Sequence, residues 1–189
     1  RMIPVKQTFQ KMARIVRDTS RALNKEVELH LSGEDAEIDK TVLERLADPL
    51  VHIIRNAVDH GLENREERRR AGKPETGNIY LSAYHRAGQV VIEVRDDGRG
   101  LDAEKLIAKA IAKGILSPDT SISPEQAYQL IFAPGFSTKE EVTDISGRGV
   151  GMDVVKTNIA ALQGNIEIET TLGKGTCFRI FLPLTLAII

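Results

Sequence analysis

Tryptophan is absent from the 189 residues, and five Phe and three Tyr make up the whole aromatic complement. That supply is too thin for the stacking platforms on which single-stranded nucleic acid is bound. A surplus of one charge is missing as well. Twenty-six Lys and Arg face 27 Asp and Glu, for a formal net charge of −1, so nothing electrostatic favours nucleic acid or a membrane surface. Cys177 is the single cysteine, which rules out an intramolecular disulfide and fits a reducing cytosol. Its simplest role is a small buried strand residue. No apolar run reaches the roughly 20 residues that a membrane span needs, and no signal-peptide pattern precedes the first helix. Nucleic-acid binding and membrane insertion therefore drop out as functions.

What is present is an ordinary globular mixture, 41% hydrophobic and 28% charged, long enough for one domain with a real core. Phe9, Met12, Ile15, Val16 and Leu23 recur on one face of a helix over 5–23, with Asn24 as its stop. Val27, Leu29 and Leu31 alternate along a strand over 26–32, and a turn follows at 33–35. A long helix is expected over 40–60, ended by Gly61, and a short charged one over 64–72. Strands over 77–86 and 89–95 are joined by Ala87-Gly88 as a hairpin, with a helix over 103–113 beyond them. The stretch 114–149 holds Pro118, Pro124, Pro134, Gly135, Gly147 and Gly149 and only one short helical pattern, near 126–132. So long an irregular segment inside a domain reads as a functional lid or as disorder. A helix over 150–163 and strands over 165–171 and 176–183, turned by Gly173-Lys174-Gly175, complete the chain. This order implies a layered α/β (α+β) sandwich, a mixed, mostly antiparallel sheet with helices on one face.

The helix over 40–60 carries the polar chemistry. At 100° per residue, with His52 at zero, Leu43, Leu46, Leu50, Ile53, Ile54 and Ala57 fall between about 100° and 200°. His52, Arg55, Asn56, Asp59 and His60 fall between about −60° and 80°, flanked by Val51 and Val58. A solvated face would more often carry Lys and Glu; these are short, directional hydrogen-bonders, as in a pocket wall, and both readings stay open. An Asn carbonyl suits Mg²⁺, which binds few protein groups and keeps waters and phosphate oxygens. His52, one turn before Asn56, is placed to accept or relay a proton. Arg55 and His60 could neutralise phosphate charge.

Two glycine-rich turns add to this. Asp96-Asp97-Gly98-Arg99-Gly100 joins a strand to a helix, and its carboxylate could accept the exocyclic amine of adenine; taken alone, the motif reads first as a plain strand-to-helix turn. Gly147-Arg148-Gly149-Val150-Gly151-Met152 opens a helix with three alternate glycines, which frees amides for a phosphate or makes a hinge. It lacks both the Lys-Ser/Thr of a P-loop and the spacing of a dinucleotide fold. Gly173-Lys174-Gly175-Thr176 reads first as a hairpin turn. The basic run Arg65, Arg68, Arg69, Arg70 and Lys73 is interleaved by Glu63, Glu66, Glu67 and Glu75, the pattern of a solvated helix.

Together and in this order, these pieces resemble the ATP-binding family shared by histidine kinases, type II topoisomerase ATPase subunits, Hsp90 chaperones and MutL proteins, whose fold is the Bergerat sandwich. Asn56 resembles that family's magnesium-coordinating Asn, within His52-Ile53-Ile54-Arg55-Asn56-Ala57-Val58-Asp59-His60-Gly61. Asp96, Gly98 and Gly100 match its adenine box, and Phe132-Ala133-Pro134-Gly135-Phe136-Ser137-Thr138-Lys139 resembles the kinase phenylalanine box. The glycines at 147, 149 and 151 and the turn at 173–176 match its two further glycine boxes. The resemblance implies ATP and Mg²⁺ as cofactors, with Asn56 on the metal. It places Asp59, Asp96, Gly98, Gly100, Ser137, Thr138, Gly147, Arg148, Gly149, Val150, Gly151, Met152 and Thr176 beside the nucleotide. His52, Arg55, His60 and Lys105 would act on the phosphoryl group, although Lys105 is equally a plain surface residue.

The ATPase branches carry a Glu where this chain has His52. The sequence is similar instead to chemotaxis histidine kinases, which implies phosphoryl transfer from ATP to a histidine on a separate phosphotransfer domain of the same kinase. A cytoplasmic homodimer coupled to an adaptor and chemoreceptors follows from the same likeness, with neither nucleic acid nor membrane insertion. On this reading 1–6 is the stub of a dimerisation region, 7–184 the catalytic domain with its lid at about 114–149, and 185–189 the stub of a regulatory domain. Both ends are expected to be cut from a longer protein. A Glu-less ATPase and a catalytically silent nucleotide-binding regulatory module are the competing readings. Phe132 and Phe136 could anchor the lid in the core or touch substrate.

Overall fold

The computed structural model describes residues 1–137 and 151–184. Helix α1 (Lys6–Ala22) buries Phe9, Met12 and Val16. It ends where Asn24 turns left-handed (φ 52°) and the Lys25 amide bonds back to the Ser20 carbonyl at 2.9 Å, the 6→1 closure of a helix C-terminus. Helix α2 (Lys40–Asn56) is capped by Asp39, whose Oδ1 accepts from the amides of Thr41 at 2.9 Å and Val42 at 3.2 Å. The stripe foreseen from periodicity, Leu43 through Ile54, is buried in the core.

Five strands form the main sheet in the order β2-β4-β5-β7-β6: β2 (Val27–Ser32), β4 (Gly77–Arg86), β5 (Gln89–Asp96), β6 (Asn165–Thr171) and β7 (Gly175–Pro183). Only the β2–β4 pair is parallel. The β4–β5 hairpin turns on Ala87 (φ 50°) and Gly88 (φ 77°), two consecutive left-handed residues whose twist matches the strands. Its register pairs Ile79 with Asp96 and Leu81 with Val94. Because side chains alternate, Ile79, Leu81, Ile92, Val94 and Ile180 face one way and enter the core with α1, α2 and α6 (Met152–Ala161). The opposite face carries the His30–Tyr80 ring stack, at 4.7 Å between centroids, and the Arg179–Glu93 and Arg179–Glu169 pairs. Cys177 is buried on that face, and burial pushes its thiol up to about 11.

Two short strands, β1 (Met2–Pro4) and β3 (Glu37–Asp39), pair with each other outside the main sheet and were not foreseen. At three residues each they are too short to show a period. Helix α3 (Arg65–Arg70) opens on an Asn64–Glu67 capping box. Beyond α4 (Ala103–Ala112), the short helical pattern near 126–132 is α5 (Pro124–Tyr128), capped by Ser123 and Gln126, running into a 3₁₀ turn over Gln129–Phe132. Residues 138–150 of the expected lid lie outside the described residues.

Candidate nucleotide-binding site

The C-terminal end of α2 departs from the α-helix over Ala57–Gly61, which forms a π turn closed by the Leu62 amide on the Ala57 carbonyl at 2.8 Å. Lys25 holds this turn: its Nζ donates to the carbonyls of Val58 (2.9 Å), Asp59 (2.6 Å) and Leu62 (2.8 Å). Those are the carbonyls that a helix end leaves without partners. The turn carries Asp59 and His60, 3.6 Å apart between Oδ2 and Nε2, and brings Gly61 against Asp96.

Asp96 ends β5 on its core-facing side and is 5% exposed. Its Oδ1 accepts from the amide of Gly98 at 2.9 Å and from that of Thr176 at 3.3 Å. Burial pushes the carboxyl up to about 6 against those two amides, and Asp97 and Glu63 add to the rise. The glycines nearby serve backbone packing. A Cβ on Gly98 would stand 2.0 Å from the Gly61 carbonyl oxygen, and one on Gly175 (φ 127°) 2.0 Å from that of Asp96. The turn 173–176 is thus a hairpin turn and also the source of an amide to Asp96.

Around Asp96 lies a cleft of about 160 Å³, lined by Asn56, His60, Gly61, Gly100, Leu101, Ile131, Phe136, Ser137, Met152, Thr176 and Phe178 among others. Its walls are largely apolar around one buried carboxylate. Helix α6 begins here, with Gly151 at the N-cap and Met152 in the lining, so its positive end faces the same space. Asn56 Nδ2 donates to Met152 Sδ at 3.3 Å. A thioether sulfur only accepts, which fixes the amide's orientation and leaves Oδ1 as the atom for a cation. Among the described residues no group of three or more His, Cys, Asp and Glu could cage a metal. What the cleft offers a cation is the single neutral amide oxygen of Asn56, a ligand compatible with Mg²⁺, which binds few protein groups.

His52 and Arg55 do not line this cleft. They border a larger groove of about 390 Å³ between α1, α2 and α6, with Lys11, Ile15, Val154 and Asn158. Burial, then the Arg55 charge, holds the His52 imidazole below its ordinary range, against an opposing pull from Asp153. Arg55 Nε is buried without a hydrogen-bond partner among the described residues. Lys105 stands exposed on α4 and belongs to neither lining. Phe132 and Phe136 are both buried, Phe132 in the core and Phe136 on the cleft. Thr138, Gly147, Arg148, Gly149 and Val150 lie outside the described residues.

The basic run is not uniformly solvated. Arg68 is 1% exposed and, with Lys73, reaches the loop after Asp96, while Arg65, Arg69 and Arg70 stay in solvent. Nothing in the period of a six-residue helix marks which of its arginines turns inward, so sequence reasoning missed Arg68, Lys73 and likewise Lys25.

Residues 45–186 match the family described as histidine kinase-, DNA gyrase B- and HSP90-like ATPases. The chain belongs to that ATPase family. Within it, the sequence is 55% identical to chemotaxis protein CheA of Klebsiella aerogenes over all of this chain and 29% of that one. It is 53% identical to the sensor histidine kinase CheAY of Helicobacter pylori, over all of this chain and 24% of that protein. The chain thus spans less than a third of these relatives. Among solved structures, the catalytic domain of histidine kinase ThkA aligns over 98% of this chain and 95% of that one, with a TM-score of 0.59 at 16% identity. The blue-light activated histidine kinase of Erythrobacter litoralis aligns over 96% of this chain and 66% of its own domain, TM-score 0.54, 16% identity. These likenesses establish the fold of a mixed sheet layered by helices. No helix among the described residues is long and apolar enough to cross a membrane.

Proposed function

We propose that this ATPase-family domain binds Mg-ATP in the Asp96 cleft and transfers the γ-phosphoryl group to a histidine on a separate phosphotransfer domain of a chemotaxis kinase. The observation that carries the nucleotide assignment is Asp96 itself. Both amide bonds it receives among the described residues fall on Oδ1, so Oδ2 is left to accept the amine of adenine at the wall of an apolar cleft. Asn56 Oδ1 would hold the metal, which when bound offsets charge on the transferring phosphate. The α6 N-terminus with Gly151 would face the phosphates. Asp59, Ser137 and Thr176 would border the nucleotide, together with Thr138, Gly147, Arg148, Gly149 and Val150 from the segment that is not described.

The choice of kinase over hydrolase rests on His52. A carboxylate at that position would serve to deprotonate water. An imidazole held neutral by burial instead can take the proton that an acceptor imidazole releases. In the transfer, the acceptor nitrogen bonds to the γ-phosphorus, the bond to the β-γ bridging oxygen breaks, and ADP leaves. Arg55, whose Nε is buried without a hydrogen-bond partner among the described residues, would offset phosphoryl charge through its guanidinium, as would His60. Lys105, exposed on α4 and outside both linings, would contribute least. The acceptor would approach along the His52 groove, whose Val154 is 38% exposed. The whole kinase is read as a cytoplasmic homodimer coupled to an adaptor and chemoreceptors.

The test is transfer from labelled Mg-ATP to a separately purified histidine phosphotransfer domain. Acid-labile label on the acceptor, lost in Asn56→Ala and His52→Ala, is expected. Steady phosphate release with no labelled acceptor would assign a hydrolytic ATPase instead.

A further inference from the structure

Asp96 and Asp97 are neighbours on β5 and its exit, and their side chains point to opposite sides of the strand. Asp96 faces the cleft. Asp97 faces α3 and β4, where its Oδ1 accepts from the Asn78 amide at 2.8 Å and its Oδ2 from Asn78 Nδ2 at 2.9 Å and Arg68 Nη2 at 3.2 Å. The guanidinium continues through Nη1 to the Asp97 carbonyl at 3.2 Å and to Glu63 Oε1 at 2.9 Å, and through Nε to the Pro74 carbonyl at 2.7 Å. Lys73 Nζ takes the next step along the loop, donating to the carbonyls of Asp97 at 3.1 Å and Gly98 at 2.8 Å and to Glu63 Oε2 at 2.6 Å. Glu63, itself 9% exposed, lies two residues beyond Gly61, the last residue of the π turn. The two cations are thus matched by Glu63 and Asp97.

We infer that Arg68, with Lys73, is a positioning residue that fixes the loop Asp97–Gly98 so that the Gly98 amide reaches Asp96 and the carboxylate's free oxygen keeps its aim at the base. The inference rests on the nucleotide reading of the Asp96 cleft. Its physical ground is that a guanidinium buried to 1% exposure is costly, and a well-packed apolar side chain is often as stable or more so. A role in stability alone therefore explains poorly why the buried Arg68 donates to the Asp97 carbonyl, next to the Gly98 amide, while Lys73 holds the carbonyls of both Asp97 and Gly98. Because Gly98 has no room for a Cβ against Gly61, any drift of this loop also moves the N-terminal wall of the cleft.

The test separates base reading from overall affinity. Isothermal titration of the chain with Mg-ATP and Mg-ITP is compared, since inosine carries a carbonyl where adenine carries its amine. The wild-type chain should prefer ATP by about tenfold or more, the worth of one hydrogen bond to a charged acceptor. In Arg68→Met the ATP affinity should fall to near that for ITP while ITP binding holds. Arg68→Lys should recover part of the preference, and the exposed Arg69→Met should leave it intact. Should Arg68→Met fail to fold, Lys73→Gln carries the same test with a smaller loss. Equal weakening of both nucleotides, or an undiminished preference in the folded variants, overturns the positioning role. A wild-type chain that binds ATP and ITP alike overturns the adenine reading itself, and the inference with it.

Discussion

Replacing Asp96 with Asn is expected to stabilise the folded domain at neutral pH while it weakens ATP binding. The carboxyl is pushed up to about 6 from an ordinary 3.8, chiefly by burial. An acid whose pKa is raised by folding costs stability wherever it is ionised in the folded state. The cost is complete above pH 6, shrinks as pH falls through 6 toward 3.8, and is gone below that. A shift of roughly two units corresponds to about 3 kcal/mol. Asn keeps an oxygen for the Gly98 and Thr176 amides, although as a neutral acceptor it returns about half of the gain. A net stabilisation of about 1–2 kcal/mol raises Tm by roughly 2–8 °C for a chain of this size. The same change puts an NH₂ where adenine presents its own amine, which should weaken ATP binding by about 10- to 100-fold. Thermal unfolding at pH 7.5 and pH 4.5, with titration calorimetry, measures all three quantities. Asp96→Asn should melt higher than wild type at pH 7.5, with the gap closing at pH 4.5. A variant that melts lower at pH 7.5, or a gap that does not change with pH, would refute the reasoning.

Other expectations follow from the same contacts. Phosphotransfer at saturating ATP should hold as pH falls to 6.5 and decline only below it, because the His52 imidazole is held under its ordinary value; an acid limb centred above 6.5 would count against His52 as the proton acceptor. Lys25→Met strands the Val58 and Asp59 carbonyls of the π turn and leaves that of Leu62 with only the Arg99 Nη2 bond at 3.3 Å, and should cost about 2–3 kcal/mol. Amide exchange should then rise first at residues 57–62, and a uniform rise across the domain would contradict the capping role. Gly173→Ala meets no atom within 4 Å and should cost only about 1 kcal/mol for its left-handed backbone. Gly175→Ala drives a Cβ into the Asp96 carbonyl and should abolish ATP binding; equal melting points for the two variants would sink this contrast.

Much of the architecture is periodic and so was readable one segment at a time. The Leu43–Ile54 stripe, the alternation of the strands and the Ala87-Gly88 turn each follow from local geometry that a few residues impose on themselves. The order of the boxes around Asn56 and Asp96 pointed to the family before any packing was known. Helix phase, however, put His52, Arg55 and Asn56 on one polar face, and it took the packing of α6 across α2 to divide them between a groove and a cleft. Residues 40–60 read as one helix, yet its last turn is a π turn held by Lys25, a residue some 33 positions away from Val58. The solvated reading of the basic run failed at Arg68 for the same reason: its partner Asp97 lies 29 positions along the chain. Composition and periodicity report how each segment relates to water. Which glycine must yield to another backbone, and which cation is drawn inside, depends on contacts between distant segments, and these exist only once the chain has folded.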